Sequence, residues 1–361
     1  VMTLGVYFIC VYMPVALAVA VLEILKKRVP KWLTWVGIVF AFAVAAYTGF
    51  LLGVVKAFPL WNNAVLPILF VVSALSAGLA ATSLVGLVAI GHTYLIIAGQ
   101  NDLSPGSVAA FSGVLAALLV SSGVNLWLAF LITIIAGALI GVFNAFMVNK
   151  IKLEAFIATL VTQSIIRGFA YILCDGKPVA ISNTTFISLG KTRFLDIPLA
   201  VWIMLVCIIV FGFILAKTRF GRSIYAIGGN KDAARLAGLN PQRIITITFI
   251  MMGILCAIGG IIFAARMNSG QPAANVNLEF DAITAVILGG VSFSGGVGTM
   301  GGTIIGVFLI QAFNTGLTMV NVPSFWQYVA KGALLLFALT SDFIRKRNRE
   351  KQLLEASKKN G

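Results

Sequence analysis

A polar interruption in a long apolar region holds the side chains best suited to bind a small polar solute. The segment from Gly99 to Ser107 reads GQNDLSPGS and contributes two amides, a carboxylate and a hydroxyl, from Gln100, Asn101, Asp102 and Ser104. Irregular backbone at membrane depth is tolerated where it is buried in protein or lines a watery cavity, and transporters use such breaks to expose helix termini to their solutes. The segment is therefore a candidate solute pathway.

The same segment has a purely structural interpretation. Asp102 or Ser104 can cap a following helix, and Pro105 is suited to the first turn of that helix. The residues alone leave the helix start and the solute pathway equally open.

A basic, glycine-punctuated segment, TRFGRSIYAIGGNKDAARLAGLN from Thr218 to Asn240, separates two apolar runs. The basic residues in and beside it, set against one acid, Asp232, are Lys217, Arg219, Arg222, Lys231, Arg235 and Arg243. Such an excess places a loop on the cytoplasmic side of a multi-spanning membrane protein. Asn230 is suited to cap a short helix, KDAARLAGL, that ends at Gly238. We therefore expect a compact amphipathic knob that docks a cytoplasmic partner.

The chain lacks the residue patterns of the usual catalytic and nucleotide-binding sites. It has no GxxxxGK(S/T) phosphate-binding loop, no HExxH and no Ser/His/Asp or paired-carboxylate set. Gly296, Gly298 and Gly301 satisfy GxGxxG, but they lie between membrane segments, where we expect tight packing or a break between two short helices. We therefore predict no enzymatic activity, no catalytic residue and no cofactor.

The cysteines and the one histidine do not suggest a metal site. Cys10, Cys174, Cys207 and Cys256 are scattered singly through apolar runs, as expected of small buried hydrophobic residues. His92 is ionisable and lies in an apolar segment, which makes it a functional candidate. Without an acidic neighbour it builds no proton relay, so a structural role is favoured.

Composition assigns the chain to the membrane. Of its 361 residues, 60% are hydrophobic and 10% are charged, whereas soluble domains carry about 25% charged residues. The net charge of +15 does not indicate nucleic-acid binding, because the basic residues cluster at the ends of apolar runs. Runs of roughly 20 apolar residues, enough to span a bilayer, lie at about 3–25, 33–55, 126–148, 155–174, 196–216, 244–266, 301–320 and 325–344.

Two further apolar stretches, at about 64–99 and 108–122, are harder to divide. The first is too long for one spanning helix and lacks a polar turn where two helices would separate. We predict an all-α polytopic bundle of about ten or eleven helices, some of them short or broken.

Basic residues at the ends of the apolar runs give a consistent orientation. Lys150 and Lys152 join two helices on the cytoplasmic side, and the basic tail from Arg345 onward lies there too. The outer connection at 267–281 has no basic residue. Three crossings after it, the first at about 282–293, return the chain to the cytoplasm.

Four segments resemble the permease subunits of bacterial ribose, xylose, galactose and autoinducer-2 type ABC importers. GQNDLSPGS is similar to the family's GGIDLSVGS, and NAFMVNKIKLEAFIATL, from Asn144 to Leu160, is similar to its NGLLVAKLKVPPFIATL. The basic segment resembles GRxxYAIGGNxxAAxLSGI, and TAVILGGVSFSGGVGTMGGTIIG, from Thr284 to Gly306, resembles its glycine-rich segment. The likeness covers about residues 83–345.

This resemblance implies a type II ABC importer fold and a transport cycle of alternating access. The expected partners are a cytoplasmic ABC ATPase subunit that binds the ATP, a periplasmic or lipid-anchored solute-binding protein and a second permease subunit, identical or different. The expected location is the bacterial inner membrane, and nucleic acid is not expected as a partner. Gln100, Asn101 and Pro105 depart from the family pattern, so the resemblance does not identify the sugar.

The resemblance also supplies candidate site residues. For the substrate pathway we expect Gln100, Asn101, Asp102, Ser104, Phe156, Thr159 and Gln163. For coupling to the ATPase we expect Gly229, Asn230, Ala233, Ala234, Gly238 and Asn240, in a coupling helix that drops into a cleft of the ATPase. A proton-coupled transporter is the disfavoured alternative, because acids in the apolar segments are scarce and only Asp102 could carry the proton.

The first 82 residues have a different character. The stretch from Tyr47 to Ala81 resembles the NrfD-like, quinol-interacting membrane anchors of polysulfide reductase type, through YTGFLL, FPLWN and LP. A quinol-interacting anchor subunit of a respiratory oxidoreductase is therefore the alternative function. We expect three parts, 1–82, 83–345 and a basic tail at 346–361. A natural fusion, a divergent extension and a misassembled or mispredicted reading frame all remain open, as does an amino terminus upstream of Val1.

Overall fold

The fold is given by a computed structural model that describes residues 66–194, 197–319 and 321–360. Side chains are described for 82–194, 197–318, 321–344 and 346–347. The chain divides into two compact units, Val1–Gly78 and Leu79–Gly361. The predicted spans at 3–25 and 33–55, and Cys10, lie outside the described residues. Nearly all the described residues belong to the second unit.

The described residues are mostly helical, which confirms the predicted all-α class. The twelve α-helices of this part of the chain are α1 (Leu66–Ile97), α2 (Pro105–Ser121), α3 (Leu126–Phe146), α4 (Ala155–Leu173), α5 (Thr184–Lys191), α6 (Leu199–Lys217), α7 (Arg219–Gly229), α8 (Lys231–Leu236), α9 (Pro241–Met267), α10 (Leu278–Leu288), α11 (Met300–Met319) and α12 (Ser324–Asn360). A π-helix, Met147–Ile151, continues α3.

Within the described residues, five segments are long and apolar enough to cross a membrane. They are Leu126–Ile151, Ala155–Leu173, Leu199–Lys217, Pro241–Met267 and Met300–Thr318, and they confirm five of the predicted spans. The predicted crossing at 282–293 corresponds to the short helix α10. The one at 325–344 lies within α12, which continues without a break through the basic residues of the tail to Asn360.

The prediction that 64–99 must divide was wrong. The structure forms one helix there, α1, of 32 residues. At 1.5 Å per residue it is about 48 Å long, more than the roughly 30 Å of hydrocarbon. No polar turn interrupts the main-chain hydrogen bonds, so the helix continues, and a helix longer than the bilayer is accommodated by tilting or by extending beyond it.

Helix α9 forms the centre of the second unit and packs most extensively against α3 and α2. Glycines allow this close approach. Gly137 and Gly141 of α3 face α9, where a Cβ atom on either would collide with the main-chain oxygen of Gly253 or Phe249. A Cβ on Gly253 would in turn collide with Gly137. The GxxxG spacing in α3 therefore marks a helix contact.

Short strands and a helix, which the sequence did not predict, join the membrane helices. Strand β1 (Val179–Ala180) pairs antiparallel with β4 (Ser269–Gly270), and β2 (Arg193–Phe194) with β3 (Ile197–Pro198). Between β1 and β2, α5 begins at Asn183, whose Oδ1 accepts a hydrogen bond from the main-chain N–H of Phe186 at 2.9 Å. Phe186 is fully buried against Phe130, with ring centroids 5.0 Å apart.

Candidate functional site

The predicted polar interruption connects α1 to α2 and forms a closed hydrogen-bonded cluster. Asp102, only 2% exposed, accepts hydrogen bonds at Oδ1 from the main-chain N–H of Ser104 at 2.8 Å and from its hydroxyl at 2.6 Å. Asn144 of α3 donates to the Ser104 hydroxyl oxygen at 3.1 Å. Pro105 occupies the first turn of α2, as expected. The suggested side-chain cap by Asp102 or Ser104 was wrong, because Ser104 stands at the cap position without making that bond and the Asp102 carboxylate bonds to Ser104 instead.

Thr159 of α4 stabilises the interruption from the side. Its Oγ1 accepts a hydrogen bond from the main-chain N–H of Leu103 at 2.9 Å, and its side chain is completely buried. A main-chain N–H that would otherwise be unpaired at the break thus receives a partner. Thr159 therefore supports the main chain of the candidate pathway from inside the protein and is not exposed on the surface of that pathway.

A cavity of about 900 Å³ adjoins the interruption. Three parts of the chain line this cavity: the interruption, the connection from α3 to α4, and α8 with the residues around it. The lining residues are 99–101, 148–149, 152–156, 231–232, 235 and 238–242. It brings the pathway candidates Gln100, Asn101 and Phe156 together with the coupling candidates Gly238 and Asn240. The other pathway candidates, Asp102, Ser104, Thr159 and Gln163, do not line it.

Helix α8 begins as the sequence predicts. Asn230 Oδ1 accepts hydrogen bonds from the main-chain N–H groups of Asp232 and Ala233, both at 3.0 Å. The helix ends at Leu236, earlier than expected, and Gly238 follows with a φ of +85°.

The end of α8 is closed by main-chain hydrogen bonds. The N–H groups of Gly238 and Leu239 donate to the carbonyl oxygens of Arg235 and Ala234, which is a Schellman motif. The predicted knob is therefore one short helix of about one and a half turns, and main-chain hydrogen bonds close its carboxyl-terminal end.

The surface of α8 is open. Ala234 is buried, Ala233 is exposed, and Leu236 is 91% exposed although it is large and apolar. Large apolar side chains held out at the tip of a short, rigid element are suited to a protein contact. The coupling candidates Gly229 and Asn230 lie at the junction with α7 and are also exposed.

The preceding helix α7 was missed in the sequence, which had suggested only a basic loop. Thr218 caps it, accepting a hydrogen bond from the main-chain N–H of Gly221 at 3.2 Å. Apolar residues at helical spacing, Phe220, Ile224 and Ile227, turn inward. The signal was available in the threonine followed by this amphipathic spacing.

The glycine-rich connection at 289–299 separates α10 from α11, which confirms the expected break. It packs against the ends of α1 and α7. The main-chain N–H of Gly296 donates to the carbonyl oxygen of Ile97 at 2.8 Å. Gly228 packs against this carbonyl oxygen and this N–H so closely that a side chain at position 228 would not fit. The Tyr225 hydroxyl donates to the carbonyl oxygen of Gly298 at 2.8 Å. Burial raises the pKa of Tyr225, so it stays a donor at neutral pH.

The turn from α3 to α4 completes the cavity wall. The π-helix Met147–Ile151 ends at Lys152, whose φ of 64° reverses the chain. Within it, Asn149 donates from Nδ2 to the hydroxyl oxygen of Thr246 in α9 at 3.0 Å. Segments of π-helix are common at functional sites. Sequence reasoning did not identify Asn149.

Gln163, a predicted pathway residue, pairs with a carboxyl group that the sequence analysis missed. Its Nε2 donates to Oε1 of Glu279 at 2.9 Å, and Glu279 is 1% exposed. One turn further along α4, the Arg167 guanidinium donates to the carbonyl oxygens of Pro272 and Ala274, both at 2.7 Å. The available signal was an acid at the start of an apolar helical segment.

His92 is fully buried in α1, and within the described residues neither of its ring nitrogens has a hydrogen-bond partner. Of the described cysteines, Cys174 and Cys256 are buried and Cys207 is partly buried; all three are free thiols. Among the described residues, no group of histidine, cysteine and acidic side chains is arranged to hold a metal ion.

Family models match two overlapping parts of the chain. Residues 74–339 match the family described as branched-chain amino acid transport system / permease component. Residues 2–121 match the NrfD polysulphide reductase family. The overlap covers α1 from residue 74 onward and α2.

Individual relatives are sugar permeases. The chain is 39% identical over 262 residues to the L-arabinose transport system permease protein of Escherichia coli, which covers 73% of this chain and 80% of the relative. It is 40% identical over 259 residues to the ribose import permease protein of Bacillus subtilis, and this match covers 71% of this chain and 80% of the relative. It is 38% identical to the ribose import permease protein of Haemophilus influenzae, and this match covers 72% of this chain and 82% of the relative. No solved structure matches the chain.

Proposed function

The chain belongs to the family of branched-chain amino acid transport system permease components, and from this premise we propose that it is the membrane-spanning subunit of an ABC importer for a monosaccharide. The names of its relatives, permeases for L-arabinose and ribose, support a sugar as the solute. A separate ATPase subunit supplies the energy, since the chain has no phosphate-binding loop of its own.

The observation that carries the proposal is the shared cavity. It joins the amides of Gln100 and Asn101, at the polar interruption, to Gly238 and Asn240, at the end of α8. A movement of α8 therefore changes the wall of a space into which the candidate pathway opens. This is the arrangement needed to convert a push on α8 into access for a solute.

The proposed topology follows from charge. The exposed basic residues of α7 and α8, together with Lys346 and Arg347 of α12, favour a cytoplasmic position in a bacterial cell for the α7–α8 segment and the carboxyl-terminal part of α12. The cavity then faces the cytoplasm, and the connections that carry β1 to β4 face outward. A solute-binding protein delivers the sugar there, and a second permease subunit, identical or different, completes the channel.

The ATPase contact is tested by co-purification. A tagged chain is isolated from its native membranes, and we expect it to retain an ABC ATPase subunit. A membrane-impermeant maleimide is then applied to an Arg235→Cys variant in which the four native cysteines have been replaced, so that residue 235 carries the single cysteine. Labelling in inverted vesicles and protection in intact cells are expected. Labelling of intact cells from outside would contradict the orientation.

The NrfD match to residues 2–121 favours one second candidate, a quinol-interacting anchor function for the amino-terminal part. It predicts binding of a quinol analogue and co-purification of an iron–sulfur protein. Absence of both from the preparation that retains the ATPase would exclude this candidate. The matched residues before α1, 2–65, all lie outside the described structure.

A further inference from the structure

Glu279 is a buried acid whose hydrogen-bonding capacity is only partly used. Its Oε1 is held by Gln163, but within the described residues Oε2 has no hydrogen-bond partner of normal geometry. Asp281, two residues further on, differs, because it pairs with Lys331 at 2.8 Å. A buried carboxyl oxygen without a partner is unfavourable, and acids within membrane segments are usually functional.

Three other polar groups, in segments next to α2 or in its first turn, also have no hydrogen-bond partner in the described structure. They are the Asn275 Nδ2, the Ser107 hydroxyl and the Asn144 Oδ1. Gly106, in the first turn of α2, lies directly against the Asn275 main-chain oxygen and Glu279 Oε2, leaving no room for a side chain. Donors and acceptors without partners are thus present in α3, in the first turn of α2 and in the connection before α10. A polyhydroxylated solute offers both kinds of partner.

The position of this group fits a solute site deep in the bundle. Gln163 lies about 12 Å along α4 from its first residue, at 1.5 Å per residue, and so near the middle of this 19-residue helix. Thr159, one turn earlier, contacts the polar interruption that leads to the cavity. The guanidinium of Arg167 interacts electrostatically with Glu279 while it is fixed by main-chain oxygens. These contacts compensate the charge of Glu279, and its Oε2 lies against Gly106 without a hydrogen bond of normal geometry within the described residues.

We propose that Glu279, with Asn275 and Gln163 beside it, binds the hydroxyl groups of the sugar midway through the membrane, when α4 and α10 separate during transport. The site rests on the proposed function and specifies its solute contact. A carboxylate that accepts hydrogen bonds from hydroxyl groups forms stronger bonds than a neutral acceptor. Glu279 would then distinguish sugars by the hydroxyl that it receives.

The test is direct sugar binding to the permease and ATPase complex in nanodiscs, without the solute-binding protein, so that selectivity measured there belongs to the membrane subunit. Radiolabelled D-ribose and L-arabinose are the probes, and deoxy analogues that each lack one hydroxyl are competitors. We expect Glu279→Gln to weaken binding of the parent sugar about tenfold, the order expected for loss of a charge-assisted hydrogen bond. It should also abolish discrimination against one particular analogue.

Asp175→Asn is the matched control, because it neutralises an exposed carboxylate and should leave binding unchanged. Asn275→Gly is a second variant; it removes an Nδ2 group that has no partner in the described structure, and glycine accommodates the φ of +60° at this position. It should weaken binding severalfold without affecting the yield of folded complex.

Three outcomes would overturn the proposal. They are no saturable sugar binding by the wild-type complex, unchanged binding by Glu279→Gln, and a loss in Glu279→Gln that is equal for the parent sugar and every analogue. The last would show that Glu279 only fixes α10 to α4. ATP-driven uptake by the wild-type importer is measured separately, so failure of the importer function would be recognised independently.

Discussion

Asn149 and Gln242 exchange hydrogen bonds across the cavity wall. Asn149 donates from Nδ2 to the carbonyl oxygen of Gln242 at 2.9 Å, and Gln242 donates from Nε2 to the carbonyl oxygen of Asn149 at 3.4 Å. One residue belongs to the π-helix after α3, and the other to the first turn of α9, directly after α8 and its closing residues. The pair therefore ties the α3–α4 turn to the chain segment that follows α8.

Breaking this pair should uncouple ATP hydrolysis from transport. In Asn149→Ala, the carbonyl oxygen of Gln242 and the Thr246 hydroxyl lose a donor, which costs about 1 kcal/mol of folding free energy. We expect a severalfold lower ratio of sugar transported to ATP hydrolysed, measured in proteoliposomes. Ser223→Ala is the control, because the one hydrogen bond that this hydroxyl makes to the described residues is to the carbonyl oxygen of Arg219 in its own helix. An unchanged ratio in Asn149→Ala would show that the pair does not transmit motion.

Leu236 should determine how tightly the ATPase binds. Leu236→Asp removes an apolar side chain that is almost fully exposed, so the stability of the chain alone should change by less than about 0.5 kcal/mol. Retention of the ATPase should fall by about tenfold or more, because a desolvated apolar anchor at an interface contributes at least about 1.4 kcal/mol. Val276→Asp, at an exposed site in the connection before α10, is the control. Equal retention of the ATPase by both variants would show that α8 is not part of the interface with the ATPase.

The α3–α9 contact should tolerate no added methyl group. Gly253→Ala forces a Cβ atom against the main-chain oxygen of Gly137, and overpacking of this kind costs about 1–3 kcal/mol. Gly168→Ala makes the same chemical change in α4 where nothing lies within 4 Å, so it should be neutral or slightly stabilising. Thermal unfolding of the two purified variants in detergent measures the difference. Equal midpoints would contradict the close helix contact.

The Tyr225 hydrogen bond to Gly298 should depend on pH only under alkaline conditions. Because burial raises the pKa of Tyr225 in the folded protein, its contribution is fully present below the ordinary tyrosine pKa of about 10 and is lost as pH rises through the folded-state pKa. Tyr225→Phe should lower stability by about 0.5–1.5 kcal/mol at pH 7 and equally at pH 9, and by less above about pH 10. A difference that already declines between pH 7 and pH 9 would show that the phenol does not titrate as described.

Local features were predictable from the sequence, and long-range pairings were not. Asn230 and Gly238 act within one short helix, so their types and spacing identified the cap and the end of α8. Gln163 and Glu279 are 116 residues apart, and Asn149 and Gln242 are 93. Those contacts depend on how α3, α4, α9 and α10 pack, which one chain's local pattern does not specify.

The errors have similar physical causes. Helix α1 was expected to divide because membrane thickness suggested a limit on its length, although nothing in its residues breaks a helix. Helix α7 was overlooked because its charge dominated the interpretation and concealed the apolar spacing of Phe220, Ile224 and Ile227. Residue type made Asp102 or Ser104 suited to cap α2, but the carboxylate of Asp102 engages both the hydroxyl and the main-chain N–H of Ser104.

The proposed function requires that a separate ATPase drive a sugar through this chain by acting on α8. It is tested most directly by accumulation of radiolabelled D-ribose and L-arabinose in cells that express the chain with its ATPase and solute-binding protein. The comparison is with an ATPase variant that lacks its phosphate-binding lysine. We predict accumulation of at least one of the two sugars above the external concentration with the intact ATPase and none with the variant. Equal accumulation in both strains would contradict the account.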